Sequence, residues 1–112
     1  MHMGSMAIIG QSGCANLFHI ILNNGVHGSV GGQPTIGLSI DIPALALACG
    51  YVSSETVRSP KALINSISNG RTKSGPTLIE VRVRPENRTG IGRPTTKPVD
   101  NKTALMKFIR RI

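Results

Sequence analysis

The sequence predicts an α/β protein with a mainly parallel sheet flanked by helices on both faces, on three observations. Helix-like and strand-like segments alternate along the whole chain, which is the pattern of βαβ units. Leu17 to Leu22 is a continuous apolar run broken only by His19, the signature of a parallel strand covered on both faces. Glycine, proline, asparagine and serine fall between the segments and mark their ends. At 112 residues the chain is one domain at most, able to bury roughly two thirds of its unfolded surface.

Gln11 to Ala15 reads as a turn, with Gly13 as the residue that ends a preceding helix. The apolar strand follows and stops at Asn23-Asn24. Beyond it, Asp41 is an N-cap, Pro43 sits in a first turn that tolerates it, and Ala44 to Cys49 form a short helix closed by Gly50. That helix is apolar nearly all round and is therefore expected to be buried. Tyr51 to Thr56 is a second, weaker strand. Ser59-Pro60 opens a helix over Lys61 to Asn69, with Leu63, Ile64 and Ile67 on one face and Gly70 at its end.

Thr77 to Arg84 alternates, with Ile79, Val81 and Val83 on one face and Glu80, Arg82 and Arg84 on the other, as an edge or half-exposed strand does. Residues 85–98, with three of the seven prolines, are an extended surface arm. Residues 100–112 are a terminal helix in which Asp100 is the cap and Leu105, Phe108, Ile109 and Ile112 form one stripe.

A net charge of +8 and a pI near 10.6 suggest an anionic partner, but the aromatic content is only 3%. Phe18, Tyr51 and Phe108 are not interleaved with the basic residues as stacking platforms, so nucleic acid is not the expected partner. The charge is assigned instead to an anionic-ligand environment and a solvated surface. Cys14 and Cys49 have no metal-ligand spacing and no signal peptide before them, so reduced thiols in a cytoplasmic protein are expected. No apolar stretch is long enough to span a membrane.

The chemistry gathers at the carboxyl end of the apolar strand, where ligands of open α/β sheets bind. Asn23 and Asn24 stand there, followed by glycines at 25, 28, 31 and 32 that let the backbone turn and approach a ligand closely. The stretch has no P-loop lysine and no dinucleotide fingerprint. The string Asn23-Asn24-Gly25 followed by His27-Gly28-Ser29-Val30-Gly31-Gly32-Gln33-Pro34-Thr35 closely resembles the thiamine-diphosphate-binding domain of phosphonopyruvate decarboxylases, and more loosely that of sulfopyruvate decarboxylases. Met3 to Gly10, which the resemblance makes a helix, Gly75 to Val83 and Gly92-Arg93-Pro94-Thr95-Thr96 resemble the same family, so the likeness covers essentially the whole chain. Gly28 and Thr89-Gly90 depart from it, since larger or acidic residues are usual there.

The resemblance implies a partial thiamine-diphosphate-binding fold over residues 1–112, forming the C-terminal part of the diphosphate-binding domain. It implies thiamine diphosphate and Mg2+ as cofactors. It makes Asn24, Gly25 and Val26 cofactor-binding, with the Asn24 amide oxygen and the Val26 carbonyl on the metal. Asn23 is then a loop-supporting hydrogen-bonder. His27, Ser29 and Gln33 are possible substrate contacts, Arg93 a weaker phosphate candidate, and His2 and His19 structural. The Gly-Asp-Gly that opens the family's cofactor motif is not in the chain, so a truncated reading frame or fragment is expected. The implied partners are a 2-oxo acid bearing a phosphonate or sulfonate, a pyrimidine-binding domain or subunit, and a homo-oligomer in the full-length enzyme. Decarboxylation of phosphonopyruvate is the leading reading. A sulfopyruvate decarboxylase subunit and a catalytically inactive binding module are the alternatives.

Overall fold

The computed structural model describes residues 3–86 and 89–111. Among the described residues there are four α-helices, α1 (Gly4–Gly10), α2 (Ile42–Ala48), α3 (Pro60–Gly70) and α4 (Pro98–Ile109). The strands are β1 (Phe18–Asn23), β2 (Val26–His27), β3 (Gln33–Pro34), β4 (Ser53–Val57) and β5 (Thr77–Arg82). β1, β5 and β4 form a parallel three-stranded sheet in that order, and β2 and β3 form a small antiparallel ladder beside it. The chain thus runs out from β1 to β4, two places away, and returns to fill the gap with β5. Parallel crossovers are right-handed, so a path that reverses direction must place its two connecting helices on opposite faces.

The side-chain register agrees. Leu78 packs with Ile42 and Ala46 of α2, Met6 of α1 and Tyr51 in the main core. On the other face, a Cβ at Gly70 of α3 would stand 2.6 Å from the Phe18 ring, with Thr77 next to it. Leu78 and Thr77 are successive strand residues and so point to opposite faces. The helices start where capping chemistry allows. Asp41 Oδ1 accepts from Ala44 N at 3.0 Å, Ser59 Oγ accepts from Ala62 N at 3.2 Å, and a proline occupies the first turn in both cases. α1 lies so close to the end of α2 that a side chain at Gly10 would collide with the Cys49 carbonyl.

The fold class is as expected from the sequence, but the roles of two strands are exchanged. β5, expected at an edge, is the central strand: Leu78, Ile79 and Glu80 are all 0% exposed. β1, expected to be covered on both faces, lies at an edge of the described sheet, and Leu22 is 69% exposed. The return of the chain into the gap is what buries β5. α2 is buried along Ile42 and Ala46 only, with Leu47 half exposed, because a helix against a sheet covers one stripe. In α3 the inward stripe is Leu63, Ser66, Ile67 and Gly70, and Ile64 faces solvent. The small residues Ser66 and Gly70 take the closest positions.

Residues 83–86 and 89–97 carry neither helix nor strand. α4 begins at Pro98 rather than after an Asp100 cap. Proline suits the first helical position, and Asp100 falls in the first turn, where a carboxylate still favours the helix dipole. Leu105, Phe108 and Ile109 stay exposed. Ile112 and His2 lie outside the described residues. The radius of gyration, 16.7 Å, exceeds the roughly 13 Å of a compact chain of this length, because the arm and α4 extend from the body. No described helix is long and apolar enough to cross a membrane.

The exchange of strand roles is measurable. Ile79→Ala empties a site with no solvent access and should cost about 2–5 kcal/mol in chemical denaturation. Leu22→Ala should stay within about 0.5 kcal/mol. Equal losses would contradict the central placement of β5.

Candidate functional site: the asparagine pair and its cleft

The two asparagines at the end of β1 are adjacent in sequence and differ in surroundings. Asn23 is buried, and its amide is fully used. Nδ2 donates to the Gly37 carbonyl at 2.7 Å and to Glu80 Oε1 at 2.6 Å, while Oδ1 accepts from Gly25 N at 3.1 Å. Asn24 is half-buried and faces the cleft, its Oδ1 accepting from Val26 N at 3.1 Å. Asn23 therefore ties the loop to the sheet, and Asn24 presents a side chain outward.

The hairpin geometry then selects one backbone oxygen. Thr35 N donates to the Gly25 carbonyl at 2.8 Å and Gly32 N to the His27 carbonyl at 2.9 Å. Val26 and Pro34 pair between these points. In an antiparallel ladder the intervening residue turns its N–H and C=O away from the partner strand, and Pro34 has no N–H to donate in any case. The Val26 carbonyl thus points to the same side as its N–H, which Asn24 holds. Two neutral, hard oxygens share the outer edge of β2. This donor set suits Mg2+, which favours oxygen ligands and takes the rest of its octahedron from phosphate and water. Among the described residues no group of three His, Cys, Asp or Glu side chains forms a competing metal site.

Gly25 makes the turn possible. Its φ is +74°, and a Cβ there would stand 2.5 Å from Leu38 Cδ1. Residues 28–30 form a 3-10 turn and Thr35 caps a second one at 36–38, its side chain accepting from Gly37 N at 3.1 Å.

An open cleft of about 610 Å³ runs from this hairpin between α1 and α2. Asn24 and His27 line it. Ser29 and Gln33 do not; both are exposed on the outer side of the loop, and Arg93 is exposed in the arm. His19, read from the sequence as structural, also lines the cleft. Its Nδ1 lies 2.8 Å from the Tyr51 hydroxyl, and burial holds its pKa below the usual 6.5. The same burial raises the Tyr51 pKa, with the neighbouring Cys49 adding to it. The position of His19 could have been found from strand parity, which puts residues 19, 21 and 23 on one face.

No Lys or Arg occurs before residue 58, and among the described residues none lines the cleft. The basic residues run from Arg58 onward, about the ends of α3, the end of β5, the arm and α4, which favours the solvated surface over the ligand environment in the expectation. Cys14 and Cys49 are both free thiols.

A parallel sheet with helices on both faces, carrying an outward asparagine and a proline-braced hairpin at one strand end, is a cofactor-binding α/β architecture. Residues 1–81 match the family described as thiamine pyrophosphate enzyme, C-terminal TPP binding domain, and the chain belongs to that family. It is 37% identical to the phosphonopyruvate decarboxylase of Streptomyces viridochromogenes over 97% of its length, and 40% identical to that of Streptomyces hygroscopicus over 88%. It is 28% identical to sulfopyruvate decarboxylase subunit beta of Methanococcus maripaludis over 99% of its length. The chain spans 28% and 24% of the two Streptomyces relatives and 59% of the Methanococcus subunit. Its relatives thus place this domain in a multi-domain or multi-subunit setting.

Two outcomes test the local geometry. Gly25→Ala should cost about 1–3 kcal/mol, because it forces a side chain into the left-handed region against Leu38. Gly28→Ala, with open space and ordinary φ, should be nearly neutral; thermal melts compare them. For His19, the folded pKa is depressed, so the unfolded chain binds the proton more readily. Its contribution to stability is present above the unfolded value of 6.5 and is lost as pH falls through the folded value. Denaturation midpoints at about pH 8 and pH 5 should therefore differ less in His19→Phe than in the parent chain.

Proposed function

We propose that this chain holds the diphosphate end of thiamine diphosphate in a decarboxylase of phosphonopyruvate, giving phosphonoacetaldehyde and CO2. The observation that carries the reading is the outward edge of β2, where Asn24, on the cleft, accepts from Val26 N and the Val26 carbonyl turns to the same side. When bound, thiamine diphosphate supplies the electron sink for loss of CO2 from a 2-oxo acid. The chain's own residues bind and orient. Asn24 and Val26 would hold Mg2+, which would supply the positive charge for a diphosphate that no described lysine or arginine of the cleft offers. Gly25 lets the backbone pass close to the ligand. His27, half-buried on the cleft, and Ser29 and Gln33, exposed on the same loop, are the positions offered to the substrate's anionic group.

The phosphonate is preferred to the sulfonate because identity to the phosphonopyruvate decarboxylases is 37% and 40%, against 28% and 31% to sulfopyruvate decarboxylases. The remaining partners in this reading are a pyrimidine-binding domain or subunit, which completes the site, and further copies of the assembled enzyme in the cytoplasm.

The test is decarboxylation of phosphonopyruvate and sulfopyruvate by the chain joined to a pyrimidine-binding domain, with thiamine diphosphate and Mg2+ supplied. Turnover of phosphonopyruvate should exceed that of sulfopyruvate, and the reverse order would overturn the substrate assignment. Asn24→Ala should weaken Mg2+-dependent cofactor binding in calorimetric titration by about tenfold or more, since alanine offers the ion no oxygen. Unchanged affinity in Asn24→Ala would place the metal elsewhere.

A further inference from the structure

The central strand carries a charged group that the proposed chemistry does not use. Glu80 is 0% exposed, in the middle of the sheet. Its Oε2 accepts from Thr56 Oγ1 on β4 at 2.6 Å, its Oε1 accepts from Asn23 Nδ2 on β1 at 2.6 Å, and Arg82 Nε lies 3.0 Å from Oε1 as an ion pair outside hydrogen-bond geometry. Register puts these groups on one face: Glu80 stands between Ile21 and Thr56, and Arg82 beside Asn23.

A carboxylate of this kind accepts and cannot donate. An asparagine amide has two chemically different ends, and only one suits each neighbour here. Facing Glu80 and the Gly37 carbonyl, both acceptors, the NH2 end is required. The oxygen is then left toward Gly25 N, 3.1 Å away. Turned over, the amide would set oxygen against two acceptors and NH2 against a donor. We propose that Glu80 is a positioning residue for the cofactor loop: its carboxylate fixes the orientation of the Asn23 amide, and the amide fixes the backbone at Gly25 and Gly37 on either side of the Asn24–Val26 edge. Its bearing on cofactor rests on the metal-site reading above, whereas its bearing on the loop does not.

The position also explains why residue 23 is asparagine. Aspartate there would set a second carboxylate 2.6 Å from the first, with no water to screen it. Such a pair is strongly unfavourable unless it takes up a proton.

The experiment compares Glu80→Ala with Thr56→Val, which removes a bond to the same carboxylate without touching Asn23. Backbone amide exchange at Gly25, read by NMR in the chain alone, should speed up about tenfold in Glu80→Ala relative to the amides of β4. It should stay near the parent value in Thr56→Val. Should Glu80→Ala fail to fold, Asn23→Asp and the double variant Asn23→Asp/Glu80→Gln decide the matter. The amide that Glu80→Gln introduces can donate to the aspartate while still accepting from Thr56, whereas the Gly37 carbonyl keeps no donor, so the double variant should recover part of the Gly25 protection that the single variant lacks. Unchanged Gly25 exchange in Glu80→Ala, or no recovery in the double variant, overturns the proposal. Titration with thiamine diphosphate and Mg2+ is the second readout: affinity should fall at least tenfold further in Glu80→Ala than in Thr56→Val. If the parent chain binds no cofactor, the metal reading fails for this chain alone, and the exchange comparison still settles the role of Glu80.

Discussion

A carboxylate buried without solvent contact must be partnered, or it costs several kcal/mol and prefers to take up a proton. In this chain that constraint falls on Glu80, in the last strand to enter the sheet. Its partners come from β1 and β4, the strands on either side, and from Arg82 on β5 itself. β5 cannot slip by one residue without sending Glu80 into the apolar layer with α3 and Ile79 toward Asn23. The polar cluster adds little net stability by itself, since buried ion pairs roughly break even against desolvation. Its contribution is to define one register, and with it where β1 ends relative to its neighbour.

From there the order passes into the loop through a single amide. Asn23 stands where a parallel strand stops and a ligand loop begins, and its three hydrogen bonds replace the ladder that the chain is leaving. Because Asn23 takes the inward role, Asn24 is released for the outward one. Across the hairpin, Val26 and Pro34 face each other between two hydrogen-bonded points, so the Val26 carbonyl turns away from the facing strand. The two oxygens proposed for the metal are thus available for different reasons. One belongs to a side chain freed by its neighbour, the other to a backbone group that the alternation of the ladder turns outward.

Much of this was legible in the sequence, and the failures share a cause. Capping chemistry located α2 and α3 because Asp41 and Ser59 act through their own next residues. The Asn-Asn-Gly string located the loop, and the split between a supporting Asn23 and an outward Asn24 followed from motif position. The exchange of β1 and β5 could not be read locally. An apolar run such as Phe18–Leu22 is compatible with either a central or an edge strand, and Ile20 and Leu22 in fact face away from the main core. Glu80 and Arg82, alternating with Ile79 and Val81, look like a solvent face until Asn23 and Thr56 arrive from residues far off in the chain. Ile64 was misassigned for a related reason: apolar spacing favoured it, whereas close helix–sheet approach favoured Ser66 and Gly70.

The distribution of charge bears on how the site must work. A chain of net charge +8 would ordinarily be expected to meet a diphosphate with lysine or arginine, yet the residues around the Asn24 edge are neutral. Arg82 is the nearest exception in the sheet, beside Asn23 in the register, and it is committed to Glu80. Removing that carboxylate would therefore leave an unpaired guanidinium next to Asn23, a tempting substitute cation for a phosphate. Its geometry argues against such a role, because the side chain is largely buried and lies behind Asn23, on the sheet side of the loop. A neutral donor set has a different virtue. It binds a divalent ion weakly by itself and more strongly when an anionic ligand supplies the missing charge, so metal and diphosphate should enter as a pair.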